Sequence, residues 1–214
     1  MSRVTVIGAG AWGTAIATVL GRNGVHQVRI WAFEKEVCES IRTARENRPF
    51  LPGFTIPQSV CATNSLAEAL EGAEIVVGVM PSHHARGLYR QMKPYLRPEM
   101  LFVSATKGIE NDSLLRMSEV IKEVLGADGG FRPRLGALSG PSFAREVAKG
   151  DPTAVTIASD DEDLAHTVQQ EFSDPKFRLY RHDDVVGVER SAGSMMGQQR
   201  CRDQKSQNEH AGLR

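Results

Sequence analysis

Five short segments carry residue types at spacings able to do chemistry. The first is Val4-Thr5-Val6-Ile7-Gly8-Ala9-Gly10-Ala11-Trp12-Gly13-Thr14-Ala15, an apolar β-branched run, a glycine-rich turn and the start of an Ala-rich helix. In that order the glycines divide the labour of holding a dinucleotide. Gly8 permits the tight turn, Gly10 lets a pyrophosphate approach the backbone, and Gly13 lets helix and strand pack closely. The helix then aims free N–H groups and its positive dipole end at the phosphates. The bland alternative is a glycine turn with no ligand. The second segment is Glu34, about twenty residues beyond the motif, where an acid accepts a hydrogen bond from the ribose 2′-OH. A carboxylate there repels a 2′-phosphate, which favours NAD and leaves NADP as the alternative. Glu36 competes for that assignment, and both acids also suit a helix start. The third is Pro81-Ser82-His83, a turn after an apolar run. His83 there is either a general base or, more commonly, a histidine that caps or packs. In the fourth, Thr106-Lys107-Gly108, a lysine at a strand end can bind a substrate oxygen or phosphate, or take part in proton transfer; the alternative is a solvated loop lysine. The fifth, Ser139-Gly140-Pro141-Ser142-Phe143-Ala144, offers free N–H groups to an anion or carbonyl.

These segments need elements to position them. Apolar runs predict strands at Val4–Ile7, Val28–Trp31, Ile75–Val79, Leu101–Ser104, Leu135–Leu138, Ala154–Ala158 and Phe177–Tyr180. Amphipathic spacing predicts helices at Trp12–Arg22, Glu34–Arg48, Ser65–Leu70, His84–Met92, Leu114–Leu125, Phe143–Lys149 and Glu162–Phe172. Ser65 is a candidate N-cap, with Glu68 at the position a capping box requires. Strands alternating with helices call for βαβ units, and fully apolar strands for a sheet covered on both faces. The expected fold is α/β, a doubly wound, mostly parallel, Rossmann-like sheet whose ligand site lies beyond the strands' carboxyl ends.

The 214 residues balance 26 basic against 26 acidic side chains, which argues against a nucleic-acid binder working through bulk charge. No apolar stretch approaches membrane-spanning length, and no room is left for a signal peptide before the first strand. The cysteines Cys38, Cys61 and Cys201 have no metal-ligand spacing and fit a reducing cytoplasm. No metal site is expected. From Arg190 to Arg214 aromatics vanish and Ser, Gln, Gly and Arg dominate. Such a segment reads as a disordered tail, or alternatively as a polar surface helix.

Taken together, the glycine motif, Pro81-Ser82-His83, Ala105-Thr106-Lys107-Gly108-Ile109-Glu110, Ser139-Gly140-Pro141-Ser142-Phe143-Ala144 and Val186-Gly187-Val188-Glu189 resemble the glycerol-3-phosphate dehydrogenase family, in its order and over residues 1–189. The resemblance implies hydride transfer between a nicotinamide and C2 of a small phosphate substrate, interconverting glycerol 3-phosphate and dihydroxyacetone phosphate for glycerophospholipid precursor supply. It implies that Lys107 serves catalysis, cofactor and substrate together. Gly140 and Ser142 would lie by the substrate, and Ala144 near the cofactor. Trp12 and Phe33 would flank the dinucleotide, which Gly8, Gly10, Ala11, Gly13, Glu34 and Pro81 also contact. In the family, Gly-Val-Glu runs into a helix carrying Lys-Asn, whose lysine is the main proton donor and acceptor, and into a helical substrate domain. Here Arg190-Ser191-Ala192-Gly193-Ser194-Met195-Met196-Gly197 follows, and the one later lysine is Lys205. We therefore expect residues 1–189 to form the dinucleotide domain and residues 190–214 to replace the helical domain, through a frameshift or premature end. Turnover is expected to be weak or absent. Two alternatives stand beside this: a non-catalytic dinucleotide-binding remnant, and a dehydrogenase for another small hydroxy acid. A cytoplasmic protein without nucleic-acid or membrane partners is expected, with a tendency to self-associate into a homo-oligomer.

Overall fold

A computed structural model describes residues 1–22 and 24–191. The tail expected from Arg190 onward therefore lies, after Ser191, outside the described residues; residues 185–191 are helical. Eight strands form one sheet: β1 (Arg3–Ile7), β2 (Gln27–Trp31), β3 (Val60–Thr63), β4 (Ile75–Gly78), β5 (Leu101–Ser104), β6 (Arg134–Ser139), β7 (Thr153–Ala158) and β8 (Phe177–His182). Their spatial order is β3-β2-β1-β4-β5-β6-β7-β8. The first six are parallel in the doubly wound order. β7 pairs antiparallel with β6, and β8 runs parallel to β7. The added pair departs from a purely parallel sheet.

Among the described residues, seven named α-helices cover the sheet. α1 (Ala11–Arg22), α2 (Lys35–Ala44), α6 (Ala144–Lys149) and α7 (Glu162–Phe172) close one face. α3 (Leu66–Leu70), α4 (Ser82–Met92) and α5 (Met117–Gly126) close the other. Alternation along the strands supplies both layers. Val4 and Val6 of β1 enter the first core with Ile16, Leu20 and Val168, and Ile7 enters the second with Tyr89, Phe102 and Ile121. Each such wholly buried side chain contributes about 1.5–3 kcal/mol of transfer free energy. Thr5, the polar residue between the two valines, is buried because its hydroxyl donates to the Ala69 carbonyl at 2.6 Å.

Two helix boundaries differ from the sequence reading by three residues or more. α2 stops at Ala44 rather than Arg48, because Arg45 turns left-handed (φ 53°) and its guanidinium binds the carbonyls of Ile56, Pro57 and Val60. α5 starts at Met117 rather than Leu114, because residues 109–116 fold into a hairpin with Leu114 at φ 57°. Ser65 does cap α3, accepting from the Glu68 N–H at 3.3 Å, while the Glu68 carboxylate accepts from the Thr63 hydroxyl at 2.6 Å.

Candidate functional site

The chain leaves β1 for α1 on one face of the sheet and, after β3, re-enters at β4 on the other side of β1. That reversal opens a crevice at the carboxyl ends of β1 and β4, where open α/β sheets bind ligands. Hydrogen bonds set the depth of its floor: Gly8 N–H to the Trp31 carbonyl (3.1 Å), Val79 N–H to the Ile7 carbonyl (2.8 Å), and Ala105 N–H to the Gly78 carbonyl (2.9 Å).

The three glycines have three different surroundings. Gly8 sits at φ 117°, and a Cβ there would overlap the Val79 carbonyl. A Cβ on Gly13 would overlap the Gly8 carbonyl, so the helix rests directly on the turn. A Cβ on Gly10 would meet nothing within 4 Å. Gly10 is therefore spared a side chain for the sake of space beside the turn, not for packing. α1 has no acidic residue in its first turn, so the positive end of its dipole faces that space uncompensated. Among the described residues, the buried Trp12 Nε1–H has no hydrogen-bond partner. An open cradle, an uncompensated helix start and an unpaired donor fit a dinucleotide pyrophosphate.

Lys107 follows β5 and stands over the Trp12 ring, its Nζ 5.7 Å from the ring centroid. Partial burial holds its ammonium below the usual lysine range. Among the described residues it has no ion pair. Thr106 braces this loop, donating to the Gly78 carbonyl (3.2 Å) and accepting from the Met80 N–H (3.3 Å), which ties the loop after β5 to the loop after β4. Pro81 is the exposed N-cap of α4, and His83 is exposed, its ring tilted at 53° to that of His84 with centroids 4.0 Å apart.

At the end of β2, Phe33 is 78% exposed and meets Trp31 edge-on at 6.2 Å. Glu34 is the exposed N-cap of α2 and makes no side-chain capping bond. On the other flank, Ser142 is buried and its hydroxyl donates to the Gly140 carbonyl at 3.2 Å. The Ser139 hydroxyl is buried without a partner. Ala144 opens α6, which packs along α1 and brings this loop to the same edge. Glu189, in the helical turn after β8, lays its carboxylate on the start of α5. It accepts from the Ser118 N–H (2.8 Å), the Ser118 hydroxyl (2.6 Å) and Arg116 Nη1 (3.2 Å). Sequence reasoning missed the roles of Thr106, Asn47 and Glu189 as braces, since each reaches partners 26 to 73 residues away.

Among the described residues, no helix is long and apolar enough to cross a membrane.

Comparison with known proteins agrees with this geometry. The family model described as "NAD-dependent glycerol-3-phosphate dehydrogenase N-terminus" matches residues 3–165. A glycerol-3-phosphate dehydrogenase [NAD(P)+] of Koribacter versatilis (strain Ellin345) is 64% identical over 189 residues, covering 88% of this chain and 56% of the relative. The enzyme of that name from Acidobacterium capsulatum is 52% identical over 192 residues, with the same two coverages. The crystal structure of glycerol-3-phosphate dehydrogenase from Coxiella burnetii superposes with a TM-score of 0.79 at 31% identity, covering 88% of this chain and 56% of that one. The chain thus spans about half the length of the curated relatives it matches. A family match across most of the chain, with relatives this similar along the same stretch, means that the chain belongs to the NAD-dependent glycerol-3-phosphate dehydrogenase family, in the N-terminal part that the family model describes.

Proposed function

We propose that residues 1–189 are a dinucleotide-binding domain that holds NAD(H) in the crevice between β1 and β4 and serves hydride exchange between glycerol 3-phosphate and dihydroxyacetone phosphate. The observation that carries this is the open space beside Gly10, with Lys107 half-buried over Trp12 at its mouth. The N–H groups of Gly10, Ala11 and Trp12 at the start of α1 would hold the pyrophosphate. Gly8 and Gly13 shape the turn from behind. Phe33 and Trp12 flank the dinucleotide, Pro81 and Ala144 border it, and Glu34 accepts from the ribose 2′-OH. An exposed Glu34 without a capping bond supports that role over a helix-start role and favours NAD over NADP.

The dinucleotide supplies and takes the hydride. Lys107 holds the substrate oxygen, and its lowered proton affinity eases proton release to the alkoxide that forms there. Gly140 and Ser142 line the substrate side. A cytoplasmic role in supplying glycerophospholipid precursors fits this chemistry and the free thiols of Cys38 and Cys61. Self-association would proceed through apolar side chains exposed along this edge, among them Ile109, Leu114 and Phe143.

A second reading is favoured by one observation: no Lys-Asn pair occurs among residues 190–214. On that reading the chain binds the dinucleotide without turning it over. One paired experiment separates the two. NADH and NADPH are titrated by nicotinamide fluorescence, then dihydroxyacetone phosphate is added. NADH binding with little oxidation supports the second reading. Oxidation at about one per second or faster supports the first. No binding of either nucleotide overturns both.

A further inference from the structure

The segment after α2 does more than return the chain to β3. Once Arg45 has ended the helix, residues 46–51 double back, with the Leu51 N–H donating to the Asn47 carbonyl at 2.8 Å. This places the Asn47 side chain in the interior with no exposed surface. Its amide is fully used there. Nδ2 donates to the Ala9 carbonyl (2.7 Å) and to the Thr14 hydroxyl (2.8 Å), and Oδ1 accepts from the Phe50 N–H (3.2 Å). The orientation of the amide is forced, because a carbonyl can only accept and an N–H can only donate. Thr14 adds a weaker bond of its own to the Ala9 carbonyl at 3.4 Å.

The consequence follows from the planarity of one peptide unit. The Ala9 carbonyl and the Gly10 N–H belong to the same trans peptide and point in opposite directions. A carbonyl held inward fixes the N–H outward, towards the space that Gly10 leaves open. The flipped peptide would present an oxygen to an incoming anion. We propose that Asn47 is a positioning residue for the dinucleotide turn: it clamps the Ala9 carbonyl inward and so aims the Gly10 N–H at the pyrophosphate. This rests on the dinucleotide reading above. Asn47 touches no ligand and acts only through the turn.

The full chain, with Asn47→Ala and Asn47→Asp, tests it by titration with NADH and with ADP-ribose, which has the pyrophosphate but no nicotinamide. Thermal midpoints are measured alongside. Asn47→Ala removes both donors and weakens both ligands by the same factor, about ten-fold or more. Asn47→Asp sets a carboxylate against the Ala9 carbonyl and weakens them further. Folded variants that bind within about two-fold of the parent overturn the proposal, as does a loss confined to NADH. If the Asn47 variants do not fold, Thr14→Val carries the test, with an equal loss of about three-fold expected for both ligands and none overturning it. If the parent chain binds neither ligand, the dinucleotide reading is what fails. The clamp is then judged from amide exchange at Phe50, whose N–H donates to Asn47 Oδ1 and which should exchange faster in Thr14→Val as the Asn47 side chain loosens; unchanged exchange sinks it.

Discussion

The turns after β1 and β6 are written in similar letters. Both set glycine and small residues between a buried strand and a helix. Their surroundings are opposite. Beside Gly10 there is open space, and the helix that follows is twelve residues long with no acid in its first turn. Beside Gly140 there is the protein itself: a Cβ would sit 2.9 Å from Val155 Cα and 3.0 Å from the Ala154 carbonyl. The helix after it has six residues and an acid, Glu146, in its first turn. Gly10 after β1 leaves open space beside the turn, whereas Gly140 after β6 makes room for β7. A glycine in the sequence records that space was needed, and only the fold says by what.

Substitutions break this comparison in a set order. Gly8→Ala is expected to be the most damaging. It puts a methyl group into the Val79 carbonyl at a left-handed φ of 117°, against the Val79–Met80 peptide, where there is no side chain to rotate away. Urea unfolding should show a loss above about 3 kcal/mol, and NADH binding should vanish with it. A folded Gly8→Ala chain with parental affinity would show that the turn is not wedged against β4. Gly140→Ala comes next. It pushes β7 away from β6 and costs about 2 kcal/mol by the same measurement, while NADH affinity stays at the parental level. Gly10→Ala inverts the pattern. Its unfolding midpoint should hold within about 0.5 kcal/mol, because the new methyl touches nothing. Its NADH affinity should fall about ten-fold or more, as the methyl occupies the phosphate's approach. Parental NADH affinity in Gly10→Ala would erase the distinction between the two turns.

The first turn was the more legible of the two, and the reason is local. A β-branched strand, glycines at fixed spacing and an Ala-rich helix all lie within twelve residues, so the periodicity alone exposes the unit. β4 and β5 were legible because a strand covered on both faces must be apolar throughout. What stayed hidden depends on distant partners. β3 was not read as a strand because it is four residues at the sheet's edge with an exposed cysteine in it. Arg45 and Asn47 lie in a stretch with helical composition, and only carbonyls 11 to 38 residues away take them out of the helix. The antiparallel entry of β7 has no local signature, since strand direction is decided by what the chain packs on after β6. Among the site residues, Lys107 was placed by its position at a strand end. Its companionship with Trp12 joins residues from β5 and α1, which the sequence leaves 95 positions apart.

The smallest effect concerns Lys107 and sharpens the comparison from the ligand's side. Nothing in the protein pairs with its charge among the described residues, and burial lowers its proton affinity on folding. The unfolded chain therefore holds this proton more tightly than the folded one. At neutral pH the lysine is charged in both states, and folding bears the full desolvation cost. As pH rises through the lowered folded value towards the ordinary lysine value of about 10.4, the folded state sheds the proton first and the cost fades. Lys107→Met, which keeps the apolar stem and drops the charge, should be more stable than the parent at pH 7 by less than about 1 kcal/mol, since solvent still screens the group. The gap should narrow as pH rises towards the ordinary lysine value of about 10.4. Urea midpoints of both chains across pH 7 to 10.5 decide it. A gap that does not change with pH would mean that Lys107 packs as a hydrocarbon and bears no desolvated charge. A gap that narrows with pH, and that NADH reduces at pH 7, would place the phosphate's charge within reach of the ammonium at the turn that keeps its space open.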